Sequence, residues 1–148
     1  IRGRSVSRGL GDVYKRQCLA MVLSYLTDDT VTPDELAAWA GNRFHVPEVG
    51  QGWGIFPAAA RQYDVNCVGL GESMNNVLTA LKSEKPVIAS MDTGTFTKKG
   101  HFIVLRGIDE NGKILVNDPN DNGNKRHFYR SFEIGLIQRE AKQFWCFD

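Results

Sequence analysis

The stretch from Gly100 to Pro119 constrains this chain more than any other. It reads GHFIVLRGID, then a turn containing Asn111 and Gly112, then KILVNDP. Apolar and β-branched runs favour extended backbone, and an Asn-Gly pair between two of them supplies the turn of an antiparallel hairpin. The predicted strands are His101–Ile108 and Lys113–Asn117, so His101 opens the first and Asp118 closes the second, at one end of the hairpin. An imidazole and a carboxylate so placed form a candidate catalytic base and the group that orients it. The register sets a condition. If Asn111-Gly112 is a simple two-residue loop, His101 faces Asn122 and Asp118 lies opposite Leu105. Four residues at roughly 3.3 Å each exceed hydrogen-bond reach, so the pair requires a turn nearer Asp109 or a β-bulge.

Upstream the pattern is helical. Leu19, Met21, Val22, Leu23, Tyr25 and Leu26 have little polar relief, which predicts a helix buried on most sides and ending near Asp28. Thr32-Pro33-Asp34-Glu35 is a capping box with proline at the first helical position, and Gly41 stops the helix it opens. Gly50–Gly54 is a glycine-rich loop able to line a cleft, and Ile55–Tyr63 is a helix with Pro57 in its first turn. A short strand at Val65–Val68 and a helix capped by Ser73 follow. Pro86–Met91, His127–Arg130 and Gln143–Phe147 read as further strands, with a helical turn after Ser131. Helices first and strands afterwards predict an α+β domain whose N-terminal helices pack on an antiparallel sheet.

A length of 148 residues with 42% hydrophobic content suits one domain. Its boundary is predicted at residue 18. Residues 1–17 are rich in Arg, Gly and Ser without apolar periodicity, and SVSRGLGDVYKRQ resembles a translated sequencing adaptor, so a foreign or disordered segment is expected there. Residues 1–16 hold five basic residues and one acid, leaving 13 basic against 16 acidic residues in the remainder. Such a body lacks the basic stripe that nucleic acid requires. No run approaches the roughly eighteen apolar residues of a membrane span. Three cysteines without CxxC spacing suggest neither a disulfide framework nor a zinc site. Cys67 and Cys146 read as buried thiols, His45 and His127 as surface histidines, and Trp39, Trp53 and Trp145 as core or cleft wall.

A thiol nucleophile acts as the thiolate, and an imidazole plus the positive end of a helix lowers its pKa, so a cysteine serving His101 should start a helix. From about Cys18 to the C-terminus the chain resembles the C39-like branch of the papain-like cysteine peptidases. The matching pieces are CLAMVLSYL, TPDELAAWA, GQGW, KPVIASM, GHFIVLRGID, ILVNDP and FWCF. The resemblance implies a papain-like fold, a Cys-His-Asp triad with His101 and Asp118 in the last two roles, a peptide or amide substrate, and no cofactor. It also implies a bacterial monomer working outside the cytoplasm or at the cell surface. In the family the helix opens C-G-P-T-C-L-A-M with the nucleophile first. Aligning CLAM puts Cys18 on the second cysteine and Tyr14 in the nucleophile's place. The expectation is therefore an inactive chain of peptidase descent. Cys18 stays a candidate nucleophile although it lies one helical turn, about 5.4 Å, too deep; its other reading is a core thiol. Gln17 follows the nucleophile position and is given no oxyanion role, Gln51 is a distant candidate for it, and Gly94, Phe96 and Gly100 should shape a cleft wall. The alternative is a non-catalytic domain that binds peptide or cell wall.

Overall fold

A computed structural model describes residues 2–46 and 50–148, with side-chain surroundings for 12–44 and 52–148. In chain order the elements are α1 (Arg2–Leu26), α2 (Pro33–Ala40), β1 (His45–Val46), β2 (Gly50–Gln51), α3 (Ile55–Gln62), β3 (Cys67–Gly71), α4 (Met74–Lys82), β4 (Val87–Met91), β5 (His101–Ile108), β6 (Ile114–Asn117), β7 (Ser131–Phe132), α5 (Ile134–Glu140) and β8 (Ala141–Phe147). The fold is α+β. Its main sheet runs β3-β8-β4-β5-β6-β7 with antiparallel neighbours.

Alternation along β5 explains the layering, because successive side chains leave a strand on opposite faces. Phe102 and Val104 join Leu19, Val22 and Leu23 of α1 and Phe56 of α3 in one core. Ile103 and Leu105 join Val77 and Leu81 of α4 and Ile137 of α5 in the other. The sheet is thus covered on both faces, and all five residues of β4, near its centre, are buried. Local signals act as predicted at the helix starts. The Thr32 hydroxyl accepts from the Glu35 amide at 3.1 Å and the Ser73 hydroxyl from the Asn76 amide at 3.3 Å, each satisfying an otherwise orphan donor.

Four elements depart from expectation. α1 begins at Arg2, well before the helix predicted from Leu19. No proline interrupts the intervening segment, and a helix nucleated by the buried Leu19–Leu23 stretch propagates backward at little cost per residue. The strand predicted at His127–Arg130 is instead a single 3₁₀ turn, His127–Tyr129. There the Asp121 carboxylate accepts from the His127 and Phe128 amides, both at 2.9 Å, so a side chain takes up the donors that a ladder would have used. β7 pairs with β6 in its stead. β3 starts two residues later than the predicted Val65–Val68, and part of the glycine-rich loop pairs as β2 with β1.

Candidate active site

The hairpin meets its register condition in two ways. The Asp109 amide donates to the Lys113 carbonyl at 2.8 Å and Gly112 has φ +79°, so the loop has three residues, with glycine in the left-handed position such a loop favours. The register then shifts between Leu105 and Gly107, a bulge at Arg106. Leu105 consequently pairs with Val116 and Val104 with Asn117. One step further, Asp118 falls opposite Ile103, a diagonal neighbour of His101 on the same face and within side-chain reach.

The two side chains meet. His101 Nε2 lies 2.6 Å from Asp118 Oδ1, with the residues only 3% and 7% exposed. The Asn120 amide donates to the same oxygen at 2.8 Å, the turn expected of an Asp before a proline. The other carboxylate oxygen, Oδ2, is 2.7 Å from Nδ1 of His127. Burial pushes the Asp118 carboxyl up, but the hydrogen bonds from His101, Asn120 and His127 and the charge of His101 outweigh it, leaving the group below the usual carboxylate range.

His127 corrects the expectation of a surface histidine. It is 3% exposed, with Phe96 and Phe132 ring centroids at 5.0 and 5.6 Å. The one available signal was its place at the return of the turn-rich segment DPNDNGNKRH that starts at Asp118. The side chains of His45 and Gln51 lie outside the described residues. Trp145 is buried in the core, whereas Trp53 is 45% exposed and meets Trp145 edge-on.

With Nε2 committed to Asp118, Nδ1 is the nitrogen of His101 that can exchange a proton with a third group. Among the described residues no hydrogen bond engages it. The His101 ring abuts Tyr14 of α1, with centroids 4.3 Å apart and planes at 88°. Cys18 is not brought into this group. It is fully buried in the α1 core, forms no hydrogen bond with His101, and its thiol is pushed well above its usual pKa by burial and then by the charge of Asp118. Cys146 is buried and Cys67 half-buried, and all three cysteines are free. Gln17 has a buried Oε1 without a hydrogen-bond partner among the described residues.

A cleft of about 450 Å³ opens beside Tyr14 and His101, walled by the loop from Gly94 to Gly100 and, across from it, by Asn120 and Lys125. Gly94, Phe96 and Gly100 all line it, as predicted. A cavity of about 460 Å³ elsewhere, at Met21, Tyr25, Glu84 and Arg106, includes neither His101 nor Asp118. Among the described residues no three His, Cys, Asp or Glu side chains group as a metal site, and no helix is long and apolar enough to cross a membrane.

Residues 17–144 match the model of the Peptidase_C39 like family. The chain belongs to that family. The crystal structure of a candidate C39-like peptidase from Bacillus anthracis superposes with a TM-score of 0.56 at 17% identity, covering 92% of this chain and 87% of that one, a likeness of fold. A search of curated protein sequences gives no match. Membership makes this a papain-like peptidase domain with peptides as its substrate class. The C39-like match starts just after Arg16, leaving Tyr14 outside it.

Proposed function

We propose that this C39-like domain is built for thiol-dependent hydrolysis of peptide bonds, with position 14 as the nucleophile's place, His101 as base and then acid, and Asp118 as its orienter. The observation that carries this reading is the contact between the His101 ring, held through Nε2 by Asp118, and the side chain at position 14. A cysteine at that position gives its proton to Nδ1 as sulfur attacks the scissile carbonyl. The imidazolium then protonates the leaving amine, and water activated by the same nitrogen hydrolyses the thioester. Tyr14 has no thiol, so we read the present chain as one without turnover, and Cys18, buried and with its thiolate disfavoured, as a core thiol. The same tyrosine favours a second reading, a cleft that binds peptide or cell wall without cleaving it. Against that reading stands the buried His101–Asp118 pair, for which simple recognition has no use. By resemblance we place the parent protein outside the cytoplasm or at the cell surface, as a monomer.

The test is the triple substitution Tyr14→Cys, Lys15→Gly, Arg16→Pro. Proline at 16 removes an N–H from α1 and clashes with the carbonyl four residues back, so the helix restarts near the new thiol and frees amides there. A thiol-directed acyl probe should then label Cys at 14, seen as a mass shift, and His101→Ala should abolish labelling. A folded triple variant that stays unlabelled rejects the catalytic reading.

A further inference from the structure

We infer that the cleft beside His101 carries a subsite for a peptide carboxylate, formed by Lys98 and Lys99 on one wall and Lys125 on the other; the inference rests on the cleft being the peptide site proposed above. Among the described residues the lining holds these three lysines and no acidic residue. The carboxylates bonded to the walls are already engaged. Asp118 is bonded to His101 and His127, and Glu140 accepts from the Thr95 amide at 2.6 Å and its hydroxyl at 3.0 Å. Asp121 accepts from the His127 and Phe128 amides. Lys98 and Lys99 are exposed and form no ion pair with a described residue, while Lys125 Nζ donates only to the Asn120 carbonyl at 3.2 Å.

The wall that carries Lys98 and Lys99 is built, not loose. The Thr97 hydroxyl accepts from the amides of Lys99 and Gly100 at 3.1 and 3.0 Å, and the Thr93 hydroxyl donates to the Lys98 carbonyl at 3.3 Å. Phe96 anchors it from beneath against His127, the same residue that holds Asp118. The Lys125 wall begins at Asp118 itself through the Asn120 amide. Both walls are therefore tied to the pair that would act on the scissile bond, so a carboxylate held between them lies at a set distance from it. An acidic side chain near that bond and a free C-terminus share the required chemistry.

The present chain suits the test, since it has no thiol at position 14 with which to consume a peptide. Three fluorescent, otherwise neutral peptides are compared by anisotropy: one amidated with two glutamates, one amidated with glutamines, and the glutamine peptide with a free C-terminus. Each exposed ion pair contributes up to about fivefold, so with two or three lysines engaged the preferred acidic peptide should bind roughly tenfold tighter than the amidated glutamine peptide. Which acidic peptide leads identifies the source of the carboxylate. The margin should shrink in high salt and disappear in Lys98→Glu/Lys99→Glu and in Lys125→Glu, with Lys82→Glu on α4 leaving it intact. Equal binding of all three, no measurable binding of any, or a margin that survives those reversals overturns the subsite. Labelling of the triple variant above reports separately: a labelled thiol without acidic preference defeats the subsite alone, and acidic preference without labelling defeats the catalytic reading alone.

Discussion

Replacing His127 with phenylalanine removes one polar contact and little else. The ring packing against Phe96 and Phe132 is kept, while the donor 2.7 Å from Asp118 Oδ2 is lost. The Asp118 side chain has 0% exposure, so bulk water does not step in. Hydrogen bonds to charged groups contribute about 1.5–3 kcal/mol, and a buried acceptor left unmatched costs about as much. Oδ1 retains His101 and Asn120, which confines the damage to one oxygen and sets the expected loss near 2 kcal/mol. For a chain of this length that corresponds to a fall in Tm of about 4–8 °C. His127→Asn, whose amide nitrogen takes roughly the place of imidazole Nδ1, should recover part of it. Thermal melts and urea titrations at neutral pH give both numbers, and combining each change with Asp118→Asn measures the coupling. A fall under about 1 °C, an asparagine variant as damaged as the phenylalanine one, or a coupling below about 0.5 kcal/mol would refute the reasoning.

Three further outcomes follow from the same geometry. Because the folded state holds the Asp118 carboxyl below its usual range, its contribution is complete above about pH 4 and is lost as pH falls through the folded value; Asp118→Asn should flatten the decline of Tm between pH 5 and pH 2, and an unchanged slope contradicts this. Burial raises the thiol pKa of Cys18, of Cys146, and of Cys67, the last to about 12, so iodoacetamide at neutral pH should leave all three intact in the native protein and modify them in urea; native-state alkylation of Cys18 would revive it as a nucleophile. A Cβ on Gly94 would collide with the Glu140 carboxylate, so Gly94→Ala should displace that carboxylate from Thr95 and cost about 1–2 kcal/mol. In a Glu140→Ala background the same change should be nearly silent, and an equal cost in both backgrounds rejects that explanation.

Features with a short-range cause were legible in the sequence. Thr32 and Ser73 cap helices because a hydroxyl three residues from an orphan amide needs nothing beyond its own turn. Asn111-Gly112 marked a hairpin, and the facing problem between His101 and Asp118 correctly demanded a shifted turn or a bulge. That both occur, and that the bulge falls at Arg106, depends on how β5 fits β4 and β6 together, which no local residue announces. His127 was misread for the same reason. Its role comes from a return of the chain nine positions after Asp118, organised by Asp121 contacts that look like ordinary loop polarity. The start of α1 was missed because its outer turns bear no apolar stripe and extend a helix nucleated further along.

α1 also decides where a dipole acts. A helix concentrates its partial positive charge on the amides of its opening turn, and here that turn lies at Arg2, about 18 Å along the axis from Tyr14. Amides at position 14 are tied into the ladder, so a sulfur introduced there alone would receive neither the field that favours its anion nor free N–H groups for an oxyanion. The turns of α1 that precede Tyr14 thus also set the electrostatic front of the helix. Reactivity at this address depends on where winding starts as much as on which atom is present.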